Sequence, residues 1–162
     1  MSSVYKLIPF GIALGSNVGD RKANLRRGIK LLLKRLPGAR LSAQATLRET
    51  APVDCPPGTA PFLNSVIEIQ ASVAPSEMYS HMAAVEQAMG RPAVREKNTP
   101  RTLDLDLLYA GDFVSEDPNL TVPHPRLHQR RFVLEPLAEI RPYLVLPGFS
   151  CTVSDLLQRL DR

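Results

Sequence analysis

From Lys6 to Leu14 the chain is almost continuously apolar, and the turn residues GSNVGD, Gly15 to Asp20, follow at once. That pattern predicts a buried strand entering a helix that Asp20 caps. Leu25, Ile29, Leu32, Leu33 and Leu36 recur at helical spacing with basic residues off the stripe, until Pro37-Gly38 ends the helix. Leu41, Ala43, Ala45 and Leu47 alternate with polar residues, the period of a half-buried strand. The proline-rich stretch from Ala51 to Pro61 suits only a surface loop. Leu63 to Val73 returns to strand character, and Pro75-Ser76-Glu77 opens a helix with Met78, Met82, Val85 and Met89 on one stripe, closed by Gly90. Thr102 to Tyr109 reads as a further strand. Pro118 to Pro147 is broken by prolines and holds at most short helices, and Val153, Leu156, Leu157 and Leu160 form a closing helix behind a Thr152-x-x-Asp155 cap.

The element order is therefore β-α-β-β-α-β, the order of a ferredoxin-like α+β fold. An antiparallel sheet would carry both helices on one face and leave the other open for an active site. At 162 residues, 44% hydrophobic and 22% charged, the chain suits one globular domain over residues 1–162. The early apolar run is short and broken by Pro9 and Gly11, so it reads as a strand rather than a signal peptide. No run approaches the ~18 apolar residues that span a bilayer. The two cysteines, Cys55 and Cys151, form no metal-binding or redox spacing, which fits a reducing cytoplasm. A formal charge of +4 favours an anionic partner without choosing among nucleotide, RNA and acidic metabolite.

The chemistry concentrates around TPRTLDLDLLYAG, Thr99 to Gly111. On a strand, Leu103, Leu105, Leu107 and Tyr109 face the helices, while Asp104 and Asp106 share the open face with Cα atoms roughly 6.6 Å apart. A lone Asp-x-Asp on a strand is most often a solvated face. Here two like charges call for a compensating cation, and Mg²⁺ bound through carboxylates and substrate phosphates would supply it. Arg91, Arg95, Lys97 and Arg101 lie in the loop feeding the strand, and Arg101 sits at its mouth, where a guanidinium can fork onto a phosphate. Glu86 borders its helix's apolar stripe and suits either a surface pair or an acceptor for a base or ribose. Between Pro123 and Pro125 the backbone of His124 is restricted, with Arg126, His128, Arg130 and Arg131 close behind; His81, in mid-helix, reads as a surface residue. Phe62 and Asn64 combine an aromatic plane with an amide, which packs a core and caps a turn or else reads a flat heterocycle. Neither a Walker A pattern nor a kinase glycine loop is present.

ALGSNVGD, PFLNSV, a Gly90-Arg91 pair ten residues before RTLDLDLLYAG, and LTVPHPRLHQRRFVLEPLAEI occur in that order over nearly the whole chain. Together they resemble the 6-hydroxymethyl-7,8-dihydropterin pyrophosphokinases of folate biosynthesis. The resemblance implies transfer of a diphosphate from ATP to the pterin hydroxymethyl, with AMP released and two Mg²⁺ ions held by Asp104 and Asp106. It implies phosphate-contacting and catalytic roles for Arg101, His124 and Arg130, with Arg91 also on the phosphates. Glu86, Leu107 and Thr121 fall at nucleotide-side positions. Asn64, Phe62, Phe132 and the segment Thr50, Ala51, Pro52 and Val53 fall at pterin-side positions. A cytoplasmic monomer acting on ATP and the pterin, with no nucleic acid or membrane partner, is the corresponding expectation. The chain departs from the family pattern at Asn98-Thr99, where Trp-Gly is usual, at Ala93 and at Pro125, and its Thr50 to Phe62 segment is slightly longer. Two other readings compete. An RNA-binding sheet would require aromatic RNP motifs, which are absent, and a Mg²⁺-dependent phosphohydrolase would use water as the nucleophile.

Overall fold

The computed structural model describes residues 6–52, 55–91 and 100–161. Val53, Ala93, Arg95, Lys97, Asn98 and Thr99 lie outside the described residues. The first strand, β1 (Ile8–Ser16), leads into α1 (Arg21–Arg35), where Asp20 Oδ1 accepts the Ala23 N–H as expected of the cap. Next come β2 (Arg40–Gln44), β3 (Arg48–Thr50), β4 (Phe62–Ala71), α2 (Pro75–Ala88) and β5 (Asp104–Ala110). A hairpin, β6 (Ser115–Asp117) and β7 (Leu120–Val122), precedes a 3-10 turn at Leu127–Gln129, then α3 (Arg131–Ile140) and α4 (Val153–Leu160). At the start of α4, Thr152 and Asp155 form the reciprocal capping box.

The main sheet runs β2-β4-β1-β5, with β3 also paired to β4 and every pairing antiparallel. Leu25 and Leu32 of α1 and Met78, Met82 and Val85 of α2 pack on Phe10, Ile12, Ile67, Ile69, Leu105 and Leu107. This layer of helices on an antiparallel sheet is the ferredoxin-like α+β arrangement.

Three expectations need correction. The strand read over Leu41 to Leu47 is two pieces on the same edge of β4: a register shift falls between Leu41 and Ala43, leaving Leu41 36% exposed, and β3 resumes at Arg48 opposite Asn64. Tyr109 does not join the leucines. Gly11 pairs with Tyr109 but Ile12 pairs with Leu107, so Leu108 is an extra residue that reverses the side-chain parity beyond it. Tyr109 then lies on the opposite face, directly over Gly11, where any added Cβ would overlap its ring. The second face of the sheet is also only partly open. Val66, Leu108 and Tyr109 form a second core with Leu127, Val133, Leu134 and Leu137 and with Val153 and Leu156 of α4. What stays clear of that core is the end of the face bearing the half-buried Asp104 and Asp106.

Candidate functional site

The pleat builds the site in one row across the sheet. Arg48 on β3 pairs with Asn64 on β4, Asn64 with Gly15 on β1, and Gly15 with Asp104 on β5. Two strand spacings separate Asn64 from Asp104, about 10 Å. Asp106 is paired with Ala13, so both aspartates stand beside small residues that leave the space above the sheet clear. Gly15 has a second use: an added Cβ would sit 3.0 Å from Asn64 Oδ1, so a side chain there would push on the amide.

Asp104 is the hub of an ionic cluster. Arg101 Nη1 donates to its Oδ1 at 2.9 Å and Arg91 Nη1 approaches the same oxygen at 3.3 Å. Arg91 also pairs with Glu86, whose Oε2 accepts the Leu105 N–H at 3.4 Å. Glu86 is only 8% exposed, so it is neither a surface residue nor free of partners. Arg91 keeps two buried donors, Nε and Nη2, with no acceptor. Such donors are costly unless a ligand supplies oxygens, which marks the place for an anion.

Arg101 is held by its backbone. Its N–H donates to Asn17 Oδ1 at 2.7 Å and its carbonyl accepts the Asn17 N–H at 3.0 Å, while Asn17 Nδ2 donates to Ala60 O at 3.2 Å. Asn17 therefore ties the mouth of β5 to the loop that delivers Phe62. Sequence reading missed this residue; the only signal was an asparagine in the turn GSN, which turn propensity already explains.

Two concavities meet at the aspartates. A cleft of about 1230 Å³ is walled by Thr50, Ala51, Phe62, Asn64, Arg130 and Phe132, and a smaller one of about 320 Å³ by Glu86, Arg91, Leu107, Thr121 and His124. Asp104, Asp106 and Arg101 line both. The arrangement thus brings the expected site residues into two groups sharing one anionic and cationic centre; Pro52 is not among the walls. In the larger cleft Asn64 Nδ2 donates to Thr50 Oγ1, which fixes the amide plane, and the Arg130 guanidinium lies 5.5 Å from the Phe132 ring centroid.

His124 is placed by two backbone bonds. Its N–H donates to Leu108 O at 2.9 Å, using the carbonyl of the bulge, and its Nδ1 accepts the Arg126 N–H at 3.1 Å. The ring proton therefore sits on Nε2. Burial, then the charges of Arg130 and Arg126, push its pKa down to about 4. His124 is a neutral donor at physiological pH, not a cation. In NMR titration of the ligand-free protein its ring proton should begin to shift only well below pH 6; a midpoint near 6.5 would contradict this environment.

Among the described residues no group of three or more His, Cys, Asp and Glu side chains forms a metal cluster. The protein offers the centre two carboxylates, hard oxygen donors that suit Mg²⁺ when substrate phosphates and water complete its shell.

Residues 11–142 match the family model described as 7,8-dihydro-6-hydroxymethylpterin-pyrophosphokinase (HPPK). The 2-amino-4-hydroxy-6-hydroxymethyldihydropteridine pyrophosphokinase of Synechocystis sp. is 36% identical over 152 residues, covering 93% of this chain and 75% of that one. Its Bacillus subtilis counterpart is 42% identical over 130 residues, covering 80% of this chain and 75% of that one. The mitochondrial folate synthesis bifunctional protein of Pisum sativum is 40% identical over 133 residues, but those are 80% of this chain and 24% of the longer protein. In structure, wild-type HPPK-DHPS of Plasmodium falciparum with SDX-DHP superposes with a TM-score of 0.76 at 13% identity, over 98% of this chain and 45% of that one.

Proposed function

This chain belongs to the 7,8-dihydro-6-hydroxymethylpterin pyrophosphokinase family, and from that premise we propose how its two joined concavities divide the reaction. It is a diphosphokinase that transfers pyrophosphate from ATP to the hydroxymethyl group of dihydropterin in folate synthesis. The RNA-binding and phosphohydrolase readings find no support among its relatives. The larger cleft takes the pterin: Phe62 and Phe132 flank the ring plane, Asn64 reads its amide edge, and Thr50 and Ala51 close one side. The smaller takes the nucleoside, with Leu107 and Thr121 as walls and Glu86 at its base. That the two open onto the same aspartates carries the assignment, because the pterin hydroxyl and the β-phosphorus must meet there.

Asp104 and Asp106 would hold Mg²⁺, and we propose two ions. A metal bound there would withdraw charge from the phosphate oxygens. The hydroxyl oxygen bonds to the β-phosphorus, the bond from that phosphorus to the α-bridging oxygen breaks, and the hydroxyl proton passes to solvent. Arg91, Arg101 and Arg130 donate to phosphate oxygens as charge spreads over them. His124 adds a neutral Nε2–H donor without further charge.

We infer that residues 1–162 act as one domain and one monomer in the cytoplasm, without nucleic acid or membrane partners. Among the described residues no helix is long and apolar enough to cross a membrane. A product assay tests the function: with ATP, Mg²⁺ and 6-hydroxymethyl-dihydropterin, AMP should form in equal amount with pterin diphosphate. ADP, or phosphate released without the pterin, would overturn it.

A further inference from the structure

Resting on the assignment of the larger cleft to the pterin, we propose that Glu139 is a positioning residue that sets the width of that cleft. Its two walls come from separate parts of the chain. One is β3, which presents Arg48 and Thr50 on one face opposite Asn64 and Phe62 of β4. The other is α3, which presents Phe132 and Glu135 to the cleft. In the sheet β3 is only three residues long and pairs with β4 alone. Among the described residues no strand pairs with its outer edge.

Glu139 spans the gap. Its Oε2 accepts the Thr46 backbone N–H at 2.8 Å and its Oε1 accepts the Thr46 hydroxyl. Arg48 Nη1 donates to Oε2 at 3.0 Å, and Arg48 Nε lies 3.6 Å from Glu135 Oε1. The contacts join segments 91 to 93 positions apart in the chain. Phe132, Glu135 and Glu139 follow one another at i, i+3 and i+7, so the carboxylate that grips the β2–β3 connection lies on the helix face that carries the aromatic wall. The bonds from Thr46, opposed by some desolvation and aided by Arg48, hold the Glu139 carboxyl below its ordinary value, so it is ionised at neutral pH.

Glu139 is not itself a wall of the cleft, so its effect must pass through Arg48 and α3. Its side chain is 35% exposed, and exposed ion pairs contribute little to stability. Geometry at the pterin end should therefore suffer more than folding. The prediction separates the two substrates, because the nucleoside side is built from α2, β5 and the segment around β7, which the clamp does not touch.

The test measures pterin affinity by quenching of its intrinsic fluorescence with a nonhydrolysable ATP analogue present, together with both KM values and the thermal midpoint. Glu139→Ala should weaken pterin binding about tenfold and raise the pterin KM in step, while the ATP KM stays within twofold. Glu139→Gln retains an acceptor for Thr46 and should recover part of the loss. Thr46→Val, which deletes one bond and leaves the helix untouched, should weaken pterin binding about threefold. Unchanged pterin affinity in Glu139→Ala, or equal weakening toward ATP, would overturn the proposal. If the wild-type protein makes pterin diphosphate in either case, the functional assignment stands; failure of the wild type to bind pterin overturns both.

Discussion

Asp106→Ala should cut kcat/KM for diphosphate transfer by at least about 10³-fold, because the metal ion it helps hold supplies several kcal/mol of transition-state charge stabilisation. The variant should still fold. Asp106 stands on the open end of the sheet beside Ala13, and removing one of two neighbouring carboxylates relieves repulsion. Asp106→Asn, which preserves shape and removes charge, isolates the electrostatic part and should be nearly as inactive. Steady-state rates against Mg²⁺ concentration check both, and wild-type turnover in either variant would remove the aspartates from the mechanism. Asp104→Ala should be equally inactive and less stable than the wild type. It strips the acceptor from Arg101 and from Arg91, and Arg91 already has two buried donors without partners. A midpoint for Asp104→Ala below that of the wild type would confirm that Asp104 organises the arginines.

The features legible in the sequence were those fixed by local periodicity. The stripe Met78, Met82, Val85 and Met89 is buried as its spacing requires, and alternation places Asp104 and Asp106 away from Leu105 and Leu107. Alternation failed one residue later, since a bulge depends on the partner strand: only the pairing of Gly11 with Tyr109 shows that Leu108 is supernumerary. The interrupted second strand failed for the same reason, its register being set by β4. Asn17, Glu68 and Glu139 carry no local signal, because each acts on backbone or side chains more than forty positions away. The covering of part of the open face by α3 and α4 was hidden too, since Pro136 obscures the helical pattern of α3.

Glu68 shows what such a hidden contact is worth. It lies in the middle of β4, 3% exposed, on the face that the second core covers. Arg141, at the end of α3, donates through Nη2 to Oε1 at 2.6 Å and through Nε to Oε2 at 3.0 Å. Tyr109 Oη donates to Oε2 at 2.6 Å and Ser42 Oγ to Oε1 at 3.0 Å. Burial raises the carboxyl's pKa, but the bonds from Arg141, Tyr109 and Ser42 outweigh it and leave it below its ordinary value of 4.5. Burial and the bond to Glu68 raise that of the Tyr109 phenol. Glu68→Ala should cost about 2–3 kcal/mol, because it leaves the buried Tyr109 hydroxyl without its acceptor while the partly exposed Arg141 can turn to water, and Tyr109→Phe about 1 kcal/mol. A Glu68→Leu, Tyr109→Phe, Arg141→Leu triple variant, which removes every charge at once, should recover much of that loss. Because the folded carboxyl has the lower pKa, its contribution is complete above the unfolded value of about 4.5 and fades as pH falls through the folded one. Urea unfolding at pH 7 and at pH 3.5 should therefore show Glu68→Gln closing part of its deficit at the lower pH. A deficit equal at both would mean that packing around Glu68, rather than its ionised form, binds α3 to the sheet.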